Sequence, residues 1–146
     1  MKKATSDLLL LDVNVLLALA WPNHQFHSAA LLRLEANDDT WATCALTELG
    51  FIRISSNAAV VGISKTPGET ANLLAAMVRD RRHVYLDALP SPVSQAFLAS
   101  WEEILSGKQV TDAYLLALAR ESGAKLLTFD TRMAMISPSA RVEVLS

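Results

Sequence analysis

Leu8-Leu9-Leu10-Leu11-Asp12-Val13-Asn14-Val15-Leu16 is the stretch that decides the fold. Four consecutive leucines leave no polar face. That is the pattern of a strand covered on both sides, as found in a parallel sheet between helical layers. The run ends at Asp12, and Val13 to Ala20 reads as a helix, so Asp12 falls where the strand hands over to its crossover. Lys2 and Lys3, followed by an apolar stretch to Trp21 containing Ala18-Leu19-Ala20, give the outline of a secretory leader. Asp12 and Asn14 interrupt it, and the run is too short to cross a bilayer. The expectation is a soluble, cytoplasmic protein with no membrane partner.

Outward from this segment, helices and strands alternate. Trp21-Pro22-Asn23 breaks the first helix, and Asn23 is placed to cap a second from about His24 to Ala36. Asn37-Asp38-Asp39 forms a turn before a short strand, Trp41-Ala42-Thr43, and a helix from about Ala45 to Ser56. Thr66-Pro67-Gly68-Glu69 opens a helix reaching Arg79, with Pro67 suited to its first turn. A strand from His83 to Leu86 leads through Pro90 and Pro92 into a helix ending near Leu105. After Ser106-Gly107-Lys108, a helix starts at Thr111 or Asp112 and stops at Gly123. Lys125 to Phe129 is a fourth strand and Arg141 to Leu145 a fifth. The pattern predicts an α/β fold, a three-layer α/β/α sandwich on a mostly parallel four- to five-stranded sheet, with residues 1–146 as a single domain.

Composition narrows the function. The 146 residues are 51% hydrophobic with a net charge of −2, which excludes a disordered chain and one that grips nucleic acid by bulk positive charge. The lone cysteine, Cys44, excludes a disulfide framework or a cysteine-rich zinc site and suits a reducing compartment.

Four acids stand where a solvated surface does not explain them. Asp12 and Asp130 both follow apolar strands, so a parallel sheet delivers them to one edge, the edge where such sheets bind ligands. Glu48 has Cys44, Ala45, Phe51 and Ile52 as its helical neighbours. Asp112 shares a stripe with Leu115, Leu116 and Ala119. Singly, Asp12 reads as a helix cap, Asp130 as a turn former and Asp112 as a first-turn acid stabilised by the helix dipole. Together they make a self-repelling cluster, so either their pKa values rise or a bound cation neutralises the site, and the cation is the economical answer. Oxygen-only donors favour Mg²⁺ or Mn²⁺, and such a site suits hydrolysis of a phosphodiester.

Leu10-Leu11-Asp12-Val13-Asn14-Val15-Leu16, Thr47-Glu48-Leu49-Gly50-Phe51, Val110-Thr111-Asp112-Ala113-Tyr114-Leu115 and Leu127-Thr128-Phe129-Asp130 resemble, in order and spacing, the motifs of PIN-domain ribonucleases, and among them the VapC-type toxins of toxin–antitoxin modules. The resemblance implies Mg²⁺- or Mn²⁺-dependent endonucleolytic cleavage of RNA, often tRNA, by a homodimer that a VapB-type antitoxin holds inactive. It carries the catalytic and metal-binding roles onto Asp12, Glu48, Asp112 and Asp130, and polar support onto Asn14, Thr111 and Thr128. Many relatives place a Gly soon after the fourth acid, where this chain has Thr131-Arg132-Met133.

Other features have competing readings. Arg79, Arg81 and Arg82 form the densest basic patch, either an RNA contact or a solvated turn. His24 and His27 lack a third metal ligand nearby and read as helix-start polar residues. Trp21, Trp41 and Trp101 read as packing residues. Two other functions fit a sheet edge carrying acids. A receiver-like signalling module would need Asp87 as its phosphoacceptor, and a haloacid-dehalogenase-like phosphatase would need an acid where Asn14 stands.

Overall fold

In the computed structural model, which describes residues 7–102, 104–137 and 139–146, β1 (Leu8–Leu11) is the central strand of a five-stranded sheet. Lys2 and Lys3 lie outside the described residues. The other strands are β2 (Thr40–Cys44), β3 (His83–Leu86), β4 (Lys125–Thr128) and β5 (Val142–Val144). Their order is β3-β2-β1-β4-β5, and every pairing is parallel. With β2 on one side and β4 on the other, the four leucines of β1 alternate between two cores. Leu9 and Leu11 join Trp41 and Leu127 on one face, and Leu10 joins Ala42 and Leu126 on the other.

The first face is covered by α1 (Val13–Ala20), α2 (His27–Ala36), α3 (Ala45–Ser55) and α5 (Pro67–Met77), with the one-turn α4 (Ala58–Val61) beside them. The second is covered chiefly by α7 (Val110–Glu121), whose residues Ala113 to Ala119 are all buried. Short α6 (Gln95–Leu98) and α8 (Met133–Ile136) contribute Phe97 and Met133 to that core. The three-layer parallel sandwich expected from the alternating pattern is therefore present. Among the described residues no helix is long and apolar enough to cross a membrane.

Three local expectations need correction. Asn23 does not cap the second helix, which begins only at His27; its Nδ2 donates to the Val61 carbonyl at 3.4 Å. Residues 21–27 form tight turns instead, with His24 N–H donating to the Trp21 carbonyl and His27 N–H to the His24 carbonyl. The helix expected to reach Leu105 is only α6 followed by a 3₁₀ turn, Ala99–Trp101. Phe97 is its one fully buried side chain, so no apolar stripe holds a longer helix to the sheet. The receiver reading also fails, because receivers run in the order 2-1-3-4-5 whereas this sheet runs 3-2-1-4-5.

Candidate active site

Parallel pairing of Leu11 with Leu127 brings the residues after β1 and β4 out at the same edge. Asp12 N–H donates to the Leu127 carbonyl at 2.9 Å, which continues the ladder one residue past β1. Its side chain then caps α1, Oδ1 accepting from Val13 N–H at 2.8 Å. Oδ2 accepts from the Thr128 hydroxyl at 2.7 Å. That hydroxyl also accepts from Asn14 Nδ2 at 3.1 Å and from Asp130 N–H at 3.0 Å. A hydroxyl has one proton and two lone pairs, and both other partners can only donate, so the Thr128 proton must go to Asp12. Asn14 Oδ1 in turn accepts from Phe129 N–H at 3.1 Å. Both polar groups of Asn14 are thus held between β4 and α1, and it offers no acid for phosphatase chemistry.

Asp112 lies in the first turn of α7, half-buried, beneath the same edge. Burial pushes its carboxyl above the ordinary aspartate range, and the negative charges of Asp12 and Asp130 push it further, against a weaker pull from Arg132. Asp12 is also raised, chiefly by burial, with its bonds to Thr128 and Val13 opposing and Asp130 adding. Asp130 is lowered, because Arg132 grips both its oxygens at 3.1 Å. Glu48 lies in the first turn of α3. Its Oε2 accepts from the Thr43 hydroxyl at 2.6 Å. Among the described residues no three His, Cys, Asp or Glu side chains stand close enough together to chelate an ion as they are.

Helix α3 can deliver Glu48 to this edge because Gly50 lies against Val13, the residue after Asp12. A Cβ at Gly50 would sit 2.7 Å from Val13 Cγ2. The Glu48 motif and the Asp12 motif are therefore in contact through a position where only glycine fits without displacement.

The opposite, amino-terminal edge of the sheet has the reverse electrostatics. There Asp39 is paired with Arg33, Glu143 with Arg33 and Lys125, Asp7 with Lys125 and Arg141, and Asp80 with Arg82. Asp7, Asp39, Asp80 and Glu143 all have lowered pKa values, each with basic neighbours among the causes. Acids at one edge are matched by built-in cations, while Asp12 and Asp112 at the other are pushed toward protonation. That unmet demand for positive charge, made by oxygen donors alone, fits a hard divalent cation.

The basic patch lies at the matched edge. Arg79, Arg81 and Arg82 precede β3, so they stand at the amino-terminal end of the sheet, whereas Asp12 and Asp130 follow their strands. Arg82 donates to the Leu34 carbonyl at 2.7 Å and to the Asn37 carbonyl at 3.3 Å, which ties it to α2. Thr111 lines an apolar cleft of about 370 Å³ with Leu46, Pro90, Trp101 and Tyr114 instead of bonding to Asp112. His24 Nδ1 accepts from Phe26 N–H and His27 Nδ1 meets the Ala18 carbonyl, so both serve the chain turns. The three indole N–H groups are likewise satisfied, by Ser55, Asp80 and the Pro92 carbonyl.

Three residues at the site were not anticipated: Thr43, His83 and Arg132. Thr43 is five positions before Glu48, a spacing with no helical meaning because a strand end intervenes. His83 reaches the site only through strand register, which no local pattern reveals. Arg132 was visible as a departure from the usual glycine, but not as the partner of Asp130.

The PIN domain family profile matches residues 9–137. Ribonuclease VapC39 of Mycobacterium tuberculosis is 41% identical over 138 residues, covering 93% of this chain and 98% of that protein. Ribonuclease VapC38 of the same organism is 38% identical over 141 residues, covering 94% and 97%. Among solved structures, M. tuberculosis VapC20, described as a sarcin-ricin loop cleaving toxin, superposes with a TM-score of 0.65 at 15% identity, covering 94% of this chain and 99% of that one. VapBC2 from Rickettsia felis, solved with a promoter DNA fragment, also gives 0.65 at 15% identity, covering 95% and 99%. At that identity the two structures speak to the fold alone.

Proposed function

This chain belongs to the PIN-domain family and to its VapC group, and from that premise we propose that it is a metal-dependent endoribonuclease, the toxin of a type II toxin–antitoxin pair. Its substrate is RNA, a tRNA or another structured RNA, cut at the carboxyl edge of the sheet. It works in the cytoplasm as a homodimer, and a VapB-type antitoxin keeps it silent. The observation that carries the catalytic reading is the contrast between the two sheet edges: acids in ion pairs with basic side chains at one, and at the other Asp12 and Asp112, without an ion-pair partner among the described residues and raised by burial and neighbouring negative charge.

Asp12, Glu48 and Asp112 are the residues that would hold Mg²⁺ or Mn²⁺, with Asp130 joining once Arg132 releases it. When bound, the cation supplies Lewis-acid charge neutralisation at the phosphate and activation of water. The protein's own residues prepare for this. Thr128 and Val13 N–H orient Asp12 and keep it an acceptor. Asn14 locks the Phe129 peptide and thereby the start of the Asp130 turn. Thr43 holds one oxygen of Glu48 and leaves the other for ligation. The freed guanidinium of Arg132, largely exposed, is placed to meet a substrate phosphate.

The test is cleavage of end-labelled total tRNA and ribosomal RNA by the purified chain. Discrete products should appear with Mg²⁺ or Mn²⁺, disappear with EDTA, and be absent for Asp12→Asn of unchanged circular dichroism. Cleavage that persists in EDTA, or in Asp12→Asn, would overturn the reading.

A further inference from the structure

We propose that His83, acting through Thr43, is a positioning residue for Glu48. The proposal rests on the nuclease reading, since it concerns how one of the metal-binding acids is held. Thr43 is fully buried near the end of β2, and its hydroxyl lies 2.6 Å from Glu48 Oε2 and 2.7 Å from His83 Nε2. An ionised carboxylate only accepts, so the single hydroxyl proton points to Glu48, and His83 must donate Nε2–H to the Thr43 oxygen. Two hydrogen bonds in series thus set the hydroxyl's direction.

Register explains why the partner is His83. Thr43 pairs with Tyr85, which puts His83 two residues back on the same face of β3, with its ring reaching along the strand. The ring is braced by Trp41, 4.7 Å away and edge-on at 61°, and the Trp41 indole donates to Asp80 at 3.2 Å. A continuous series of contacts therefore runs from the matched edge of the sheet to Glu48. Burial holds His83 below the ordinary histidine range, with Glu48 and Asp80 opposing, in keeping with a neutral Nε2–H ring.

The Asp12 centre repeats this design independently. There a fully buried threonine of another strand, Thr128, donates to a carboxylate while Asn14 donates to its oxygen. His83 is to Thr43 what Asn14 is to Thr128. Two carboxylates, Asp12 and Glu48, are each aimed by a threonine from a strand flanking β1, Thr128 of β4 and Thr43 of β2, each with its own backing donor.

The test combines a direct view of the ring with metal uptake. In the full-length protein, ¹⁵N NMR of the imidazole should show the Nε2–H tautomer at His83. Calorimetric Mn²⁺ binding should weaken about tenfold in His83→Leu and tenfold to a hundredfold in Thr43→Val. Thr43→Ser should remain near wild type. His83→Gln, which puts an amide N–H at the Nε2 position, should recover most of the affinity. His83→Asn, which reaches only the Nδ1 position, should not. An Nδ1–H tautomer, or equal Mn²⁺ affinity for the Gln and Asn variants, would overturn the proposal even if His83→Leu failed to fold. Wild-type protein that takes up no Mn²⁺ would instead remove the nuclease reading, and this proposal with it.

Discussion

The Thr128 hydroxyl donates to Asp12 Oδ2 at 2.7 Å across 116 positions of sequence, and it also accepts from Asn14 Nδ2 and Asp130 N–H, so it joins three parts of the site. Thr128→Val removes the donor to Asp12 and leaves Asn14 Nδ2 and Asp130 N–H without their acceptor. Leaving buried polar groups unpaired costs about 1–3 kcal/mol, so urea unfolding should report a loss in that range. Mn²⁺ affinity should fall with it, because Asp12 is no longer held as an acceptor. Thr128→Ser, which keeps the hydroxyl, should be close to wild type in both measurements. Equal stability for Val and Ser would show that the hydroxyl bonds are dispensable.

Asp112→Asn should make the metal-free protein more stable at neutral pH. Asp112 has a folded-state pKa above its unfolded value, so its ionised form disfavours the folded state. That penalty is full above the folded pKa and fades as the pH falls through it toward 3.8. The melting temperature of Asp112→Asn should therefore exceed wild type by a few degrees at pH 7, with the gap closing in acid. Asp39 and Glu143 have the opposite sign. Their lowered pKa values give stability above the unfolded values that is lost as the pH falls through the folded ones, and this loss should be the same in both proteins. Adding Mn²⁺ should reverse the neutral-pH ranking. A ligand at a hundredfold excess over its Kd stabilises by about 2.7 kcal/mol, and the variant lacks one of its donors.

What could be read from the chain alone was local. Four leucines ending at Asp12 specify a doubly covered strand and the edge at which its acid emerges, because both facts depend only on adjacent residues. Glu48 was legible because its helical neighbours are apolar. Its hydrogen-bond partner was not, because Thr43 and His83 meet through the β2–β3 register. Asn23 has the chemistry of a cap, yet a tertiary bond to Val61 claims its side chain. Arg79, Arg81 and Arg82 read equally as an RNA contact or a solvated turn, and which end of the sheet they occupy follows only from the direction of β3. The repulsion expected among the acids is visible in Asp12, raised in part by Asp130, and in Asp112, raised in part by Asp12 and Asp130.

Arg132→Ala tests whether the internal counterion competes with the metal. The guanidinium bonds both oxygens of Asp130, but its side chain is 82% exposed, so solvent screening keeps the pair weak. Removing it should lower the Mn²⁺ concentration for half-saturation by up to about fivefold. The KM for RNA should rise at the same time if the freed guanidinium meets a phosphate. An unchanged half-saturation point would mean that Asp130 does not take part in binding the ion.

Gly50→Ala tests the contact that joins the two motifs. The added Cβ would lie 2.7 Å from Val13 Cγ2, so either the valine must turn or α3 must move away from α1. Phe51 beside it is fully buried and Val13 directly follows Asp12, so neither movement is free. Overpacking of this kind costs about 1–3 kcal/mol, which urea unfolding would register. Metal binding distinguishes the two forms of relaxation. If α3 retreats, Glu48 moves away from Asp12 and Mn²⁺ affinity drops in parallel with stability. If Val13 rotates in place, stability falls alone. Combining Gly50→Ala with Val13→Ala removes the clash and should restore affinity in the first case. A double variant that recovers stability but not metal uptake would show that Gly50 does more for Glu48 than make room for its helix.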